Sequence, residues 1–120
     1  MTNMLKWIVA VFWTAFIIYG LASPPSATPR FPWLAIEGVD KLVHVALFGV
    51  EAALCVWAVG KGLSARLLVV VIVWCTVLGG VMEVVQFYWV EGRSGDVMDL
   101  LADTFGATLG AALLGMFGKK

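Results

Sequence analysis

The sequence predicts an all-α, polytopic membrane protein: four transmembrane helices in a compact bundle, forming a single domain over residues 1–120. Three observations lead there. Hydrophobic types make up 62% of the 120 residues, with a mean hydropathy of +0.97. Only 13% of residues are charged, against roughly 25% in a soluble globular domain. Four apolar stretches follow one another, each close to the roughly 20 residues that cross a hydrocarbon core of about 30 Å at about 1.5 Å per residue. Lys and Arg together number 8 and so do Asp and Glu, so the net charge makes no case for nucleic acid as a partner.

The first span is read over 5–22 and stops at Ser23-Pro24-Pro25, where proline denies the helix its donors and clashes with the preceding turn. Lys6, the apolar run and Gly20-Leu21-Ala22 before Ser23 resemble a secretory signal, but the run is long for the apolar region of one. It is read as a retained helix. The following loop carries Pro29, Pro32 and the pair Phe31 and Trp33, aromatic rings suited to a membrane interface.

The second span is read over 40–59, closed by Gly60-Lys61-Gly62, and the third over 66–90, long enough to cross with some tilt. The polar loop Glu91-Gly92-Arg93-Ser94-Gly95 leads to a fourth span over 96–117, followed by Lys119 and Lys120. Cys55 and Cys75 fall inside spans and read as small apolar core residues rather than a disulfide or metal pair. With the N-terminus cytoplasmic, that side carries five basic residues (Lys6, Lys61, Arg66, Lys119, Lys120). The other side carries three (Arg30, Lys41, Arg93). The positive-inside rule then places both termini in the cytoplasm.

Polar residues interrupt these apolar spans at one level. An ionisable group in hydrocarbon is costly and is expected to face a partner, the bundle interior or water. By helical rise, His44 lies about 6 Å inside the outer end of its span. Gln86 and Glu83 lie about 6 and 10 Å inside theirs, and Asp99 and Asp103 about 5 and 10 Å. Spacings of three, four and seven keep Asp40, His44 and Glu51 on one helical face, and likewise Glu83 with Gln86 and Asp96 with Asp99 and Asp103. Arg93 sits in the loop above, suited to hold a carboxylate or an anionic ligand bidentately.

Plainer readings stand beside these. Asp40 and Asp96 suit helix N-caps, and Lys41 and Glu91 suit the interface. Glu51, nearer the midplane, fits a structural hydrogen bond as well as a proton or head-group path. Gly106 and Gly110, with Ala107, Ala111 and Gly115, give the fourth span a face of small residues. Packing within the chain is the default use of that face, and a homodimer through Gly106 and Gly110 the alternative.

Asp40-Lys41-x-x-His44-x-x-x-Phe48, Glu83-x-x-Gln86, Arg93-x-x-Asp96-x-x-Asp99 and Asp103-x-x-Gly106-x-x-x-Gly110 occur in this order over residues 40–110. Together they resemble the VanZ-like family of small bacterial membrane proteins. Asp103 stands where that family commonly has Asn. The resemblance implies a multi-pass protein of the bacterial cytoplasmic membrane that acts in the cell envelope. The founding member is associated with resistance to the glycopeptide teicoplanin, and relatives with tolerance of other envelope-active agents.

The reading that follows is a polar site opening to the outer leaflet, which binds or modifies the head group of a lipid or lipid-linked cell-wall precursor. Arg93, Gln86, Asp96, Asp103, Asp40 and Lys41 are its candidate ligand-binding residues. His44, Glu83 and Asp99 are candidate catalytic residues, with His44 as general base or nucleophile oriented by a carboxylate. The sequence lacks the basic, two-histidine phosphate cradle of lipid phosphate phosphatases, so whether the site is catalytic stays open. The alternative is a non-catalytic lipid-binding, translocating or structural protein, with Glu51 on the path. No cofactor is required, but a divalent cation held by His44, Glu83, Asp99 and Asp103 is a third reading.

Overall fold

The computed structural model of the protein describes residues 2–23, 38–90 and 97–117, with the side chain of Asp40 left out. Among the described residues are four helices and no strand: α1 (Asn3–Ala22), α2 (Val39–Val59), α3 (Ala65–Trp89) and α4 (Val97–Phe117). All four are long and apolar enough to cross a membrane. They follow the predicted spans to within one or two residues, and the local caps explain the offsets.

Thr2 caps α1, its hydroxyl accepting from the amide of Leu5 at 3.3 Å, so this helix begins two residues before the predicted start. Ser64 caps α3 in the same way, accepting from Leu67 at 3.1 Å. Each cap satisfies an amide that the first turn leaves without a helical partner. The second helix stops at Gly60, whose φ of 73° is open to glycine at little cost and lets its amide reach the Val56 carbonyl at 3.3 Å. At the start of α2 the cap position belongs to Gly38. Asp40 is the second residue of the helix rather than its N-cap, which corrects the capping expectation for that residue.

The apolar side chains are distributed as a bilayer requires. Phe12, Tyr19, Phe87, Trp89, Val97 and Phe117 are exposed, along with most valines on one side of α3. A soluble protein does not present so continuous an apolar surface, whereas lipid is a good solvent for it. Aromatic residues mark both ends of the bundle, as they do at membrane interfaces. Lys6 lies 5.3 Å over the Trp57 ring at one end, and Phe87, Tyr88 and Trp89 stack edge to face and tilted at the other.

Within the bundle α2 touches all three other helices, and its widest interface is with α4. That interface depends on missing side chains. A Cβ on Gly106 would strike the backbone of Val45, and one on Gly110 would strike the backbone of Gly49. The two helices therefore pack backbone to backbone, the close approach that small residues spaced by four allow in a membrane. Gly106 and Gly110 are thus used within the chain, the default reading of their spacing. Ile17, Phe48, Ala52, Cys75, Ala107 and Ala111 fill the remaining core.

Polar contacts tie the outer helices to this pair. The Trp13 indole of α1 donates to the Leu47 carbonyl of α2 at 2.9 Å. Between α3 and α4, Thr76 and Thr104 meet hydroxyl to hydroxyl at 2.9 Å, with Thr104 donating to the Leu100 carbonyl at 3.1 Å. Since a hydroxyl has one hydrogen, Thr76 is the donor between the two.

Gly106→Ala and Gly110→Ala should each lower the melting temperature in detergent, by an amount equivalent to about 1–3 kcal/mol, because the overlapping atoms are rigid backbone. A Cβ on Gly80 would have nothing within 4 Å, and Gly80→Ala should leave melting unchanged or raise it. Equal melting of all three variants would remove the close α2–α4 contact as the reason for these glycines.

Candidate functional site

The end of the bundle holding the N-termini of α2 and α4 and the C-termini of α1 and α3 carries the polar residues. His44 projects from the second turn of α2 and is 3% exposed, while Asp103 on α4 is fully buried. Their Nδ1 and Oδ1 atoms are 2.7 Å apart, the length of a charge-assisted hydrogen bond. The other ring nitrogen, Nε2, lies 3.6 Å from Oδ2 of Asp99, one helical turn before Asp103. Asp99 in turn forms an ion pair with Lys41 at 2.7 Å. Lys41, Asp99, His44 and Asp103 therefore form a chain of alternating charge types. It runs inward from a half-exposed ammonium to a carboxylate with no solvent contact.

Helix packing brings this chain together. Val45 follows His44 directly, and Gly106 lies one turn beyond Asp103, so the Gly106–Val45 contact fixes the register of the imidazole against the carboxylate. On the other side, α3 makes room for the same carboxylate at Gly79. A Cβ there would lie 2.5 Å from Oδ2 of Asp103 and 3.3 Å from its Cβ and Cγ. The sequence reading had marked Asp103 but not Gly79, whose signal, a Gly-Gly pair within an apolar helix, is shared with Gly80.

Glu83 reaches the cluster from α3. His44, Glu83 and Asp103 each offer one ligand atom within 4.8 Å of the others, the one such His and carboxylate group among the described residues that could hold a metal ion. The oxygen and imidazole donors fit several divalent cations. Asp99 stands outside this trio, on the far side of the imidazole.

The other predicted site residues have separate places. Gln86 is one turn from Glu83, but its carboxamide donates to the Leu21 carbonyl at 3.0 Å. That hydrogen bond closes the last turn of α1 against α3. Arg93 and Asp96 lie outside the described residues, as do Glu91 and the loop with Phe31 and Trp33. Asp40 is placed in the first turn of α2 by its backbone alone.

Glu51 is about 10 Å along α2 from His44 by helical rise and is 1% exposed. The Thr14 hydroxyl of α1 lies 2.7 and 2.9 Å from its two carboxyl oxygens, and the Trp74 indole of α3 donates to Oε2 at 2.9 Å. One carboxyl group thus joins three helices, an arrangement that supports the structural reading of Glu51. Thr14 and Trp74 were missed in the sequence. A lone Thr in an apolar span and a Trp with an exposed ring carry no sign of where their hydrogens point.

The fold and this cluster define a class: a four-helix membrane protein with a buried imidazole and carboxylate network at one end of its bundle. The VanZ/LLP1 family model matches residues 3–118, nearly the whole chain, and the protein belongs to the VanZ-like family. Comparison with curated proteins and with solved structures gives no match. Membership supports, in general terms, a VanZ-like protein of the cell envelope and antibiotic resistance.

If Glu51 ties the helices, Glu51→Ala should strand the Trp74 donor and cost about 1–3 kcal/mol, seen as earlier melting in detergent. Glu51→Gln keeps an acceptor for Trp74 and a donor for Thr14 and should restore most of that loss. An alanine variant that melts like the parent protein would show the tie to be without consequence.

Proposed function

We propose that this protein binds the polar or anionic head group of a membrane lipid or lipid-linked cell-wall precursor at the end of the bundle where α2, α3 and α4 converge. The observation that carries the reading is the Lys41–Asp99–His44–Asp103 chain, which begins at a half-exposed ammonium and ends in a fully buried carboxylate. A structural core has little use for four ionisable groups in series. Burying them costs desolvation that their mutual attraction only partly returns, and such groups in a membrane generally mark a path or a ligand site.

In this reading Lys41 and Arg93 attract the anionic group, and Asp99 holds Lys41 in place. His44 stands behind them as a group able to take or give a proton. Glu83 borders the same space from α3. The buried His44–Asp103 pair favours a second reading in which the site modifies its ligand, with His44 as general base, since a base needs an orienting partner of this kind. The protein sits in the bacterial cytoplasmic membrane with both termini in the cytoplasm, so that the site faces the outer leaflet. The basic residues, five against three, support that orientation.

Arg93→Ala, Asp99→Asn and His44→Ala should abolish lipid co-purification, measured by mass spectrometry, and the associated resistance phenotype. Glu37→Gln and Glu91→Gln should be tolerated. Melting in detergent must be measured beside function, because removing one member of a buried pair strands the other at about 3–5 kcal/mol. If the three variants melt far earlier and lose function only in proportion, the residues are structural ties and the proposal fails.

For the orientation, single cysteines at Ser26 and Ser94, introduced where Cys55 and Cys75 have been replaced, should react with an impermeant reagent added from outside the cell. Labelling only from the cytoplasmic side would invert the topology and move the site to the inner leaflet.

A further inference from the structure

We propose that the end of the bundle opposite the His44 cluster is a second lipid contact, a basic surface formed by Lys6, Lys61 and Arg66 that binds the head groups of anionic phospholipids in the adjoining leaflet. It does not rest on the head-group site proposed above, which lies at the other end of the helices.

Charge is already divided along the sequence. No Asp or Glu occurs in residues 1–36, 52–82 or 104–120. Those ranges contain the start of α1, the whole α2–α3 connection and the end of α4, and packing brings these three parts together. The Lys6 ammonium of α1 lies 5.3 Å over the Trp57 ring, near the end of α2. A Cβ on Gly60 would lie 3.7 Å from Oδ1 of Asn3, and one on Gly115 of α4 would strike the side chain of Leu63. Gly60 and Gly62, with φ of 73° and 77°, turn the chain and leave Lys61 exposed between them. Arg66 is exposed in the first turn of α3. Lys119 and Lys120 follow α4 in the sequence.

Two details go beyond what basic residues need in order to set topology. First, Arg66 is the second residue of α3 and Lys6 the fourth of α1, and neither helix has an acid in its first turn. A helix N-terminus favours negative charge, so these cations stand where their own helices disfavour them. An anion from outside the chain would be attracted by the side chains and the helix ends together. Second, among the described residues no carboxylate meets Lys6, Lys61 or Arg66. Lys6 is held by an aromatic ring, which directs the ammonium without neutralising it. A phosphodiester suits a guanidinium beside ammonium groups. The net charge of the lipid then selects phosphatidylglycerol over phosphatidylcholine, although both carry a phosphate.

The test is melting of the full chain in a neutral detergent, with dioleoyl phosphatidylglycerol or dioleoyl phosphatidylcholine added in steps. A lipid that binds the folded protein raises its melting temperature according to its affinity. At low salt phosphatidylglycerol should act at a concentration at least about 10-fold lower, since each basic residue near a surface contributes a factor of about 5 toward an anionic lipid. The double variant Lys61→Gln/Arg66→Gln should lose most of that preference. It should melt like the parent protein without lipid, because both side chains are exposed. Lys61→Arg should keep the preference. Salt at about 1 M should remove it from the parent protein, so lipid that survives a high-salt wash reports on the His44 end instead.

Equal action of the two lipids on the parent protein at low salt would overturn the proposal, and so would a preference that persists in the double variant. Inorganic phosphate at matched ionic strength should give no rise in melting temperature. A rise as large as that from phosphatidylglycerol would make this a site for a soluble anion and overturn the lipid assignment. Lys41→Gln removes one positive charge from the opposite end and should cost less preference than Lys61→Gln. A preference lost in Lys41→Gln but kept in the double variant would place the lipid at the His44 end, supporting the head-group reading and sinking this one. If the head-group reading fails, the preference measured here still falls with Lys61 and Arg66.

Discussion

The contact on which the rest of this structure depends is the backbone approach of α4 to α2, with Gly106 on Val45 and Gly110 on Gly49. Between helices in lipid the hydrophobic effect offers little net attraction, since the alternative neighbour is also apolar. Close packing and interhelical hydrogen bonds supply most of the association instead. Two glycines one turn apart remove the side chains that would hold the axes at the usual 8–10 Å. The resulting proximity brings the short side chain of Asp103 to within 2.7 Å of the imidazole on the facing helix. A longer carboxylate could bridge a wider gap, but it would be less rigidly held.

Within the low-dielectric bundle, polar side chains among the described residues are matched to partners from other helices. Glu51 is met by Thr14 and Trp74, Gln86 by the end of α1, Thr76 by Thr104, and His44 by Asp103. The same device serves two purposes at different depths. Near the middle, Thr14, Glu51 and Trp74 join α1 and α3 to α2 through a single carboxyl group. Near one end, the matching runs as a chain of ionisable groups out to Lys41, and there it has a direction from buried to exposed. That directional arrangement distinguishes the candidate site from the ties.

Much of this was legible in the sequence. Four apolar runs fix four helices because a span must satisfy its own backbone groups in lipid, and the run lengths and Pro or Gly breaks locate the ends to within a residue or two. Depth followed from helical rise, so the common level of His44, Glu83, Asp99 and Asp103 could be read directly. The family resemblance over residues 40–110 agrees with the match of the VanZ/LLP1 model over 3–118. Even the small-residue face of the fourth helix was visible from its spacing.

Partnership was decided only by tertiary structure. Periodicity states which residues share a face, but the facing helix and its rotation depend on packing among all four. Asp103 and not Asp99 therefore engages Nδ1 of His44, although both lie on the same face of α4. Gln86 turns to α1 for the same reason, and Gly79, silent in the sequence, matters because Asp103 occupies the space its side chain would fill. The sequence by itself determined the number, length and polarity of the helices, because those follow from local composition and the thickness of a bilayer. The hydrogen-bond partners required the tertiary structure, because a hydrogen bond depends on distances of a few tenths of an ångström between residues up to 65 positions apart.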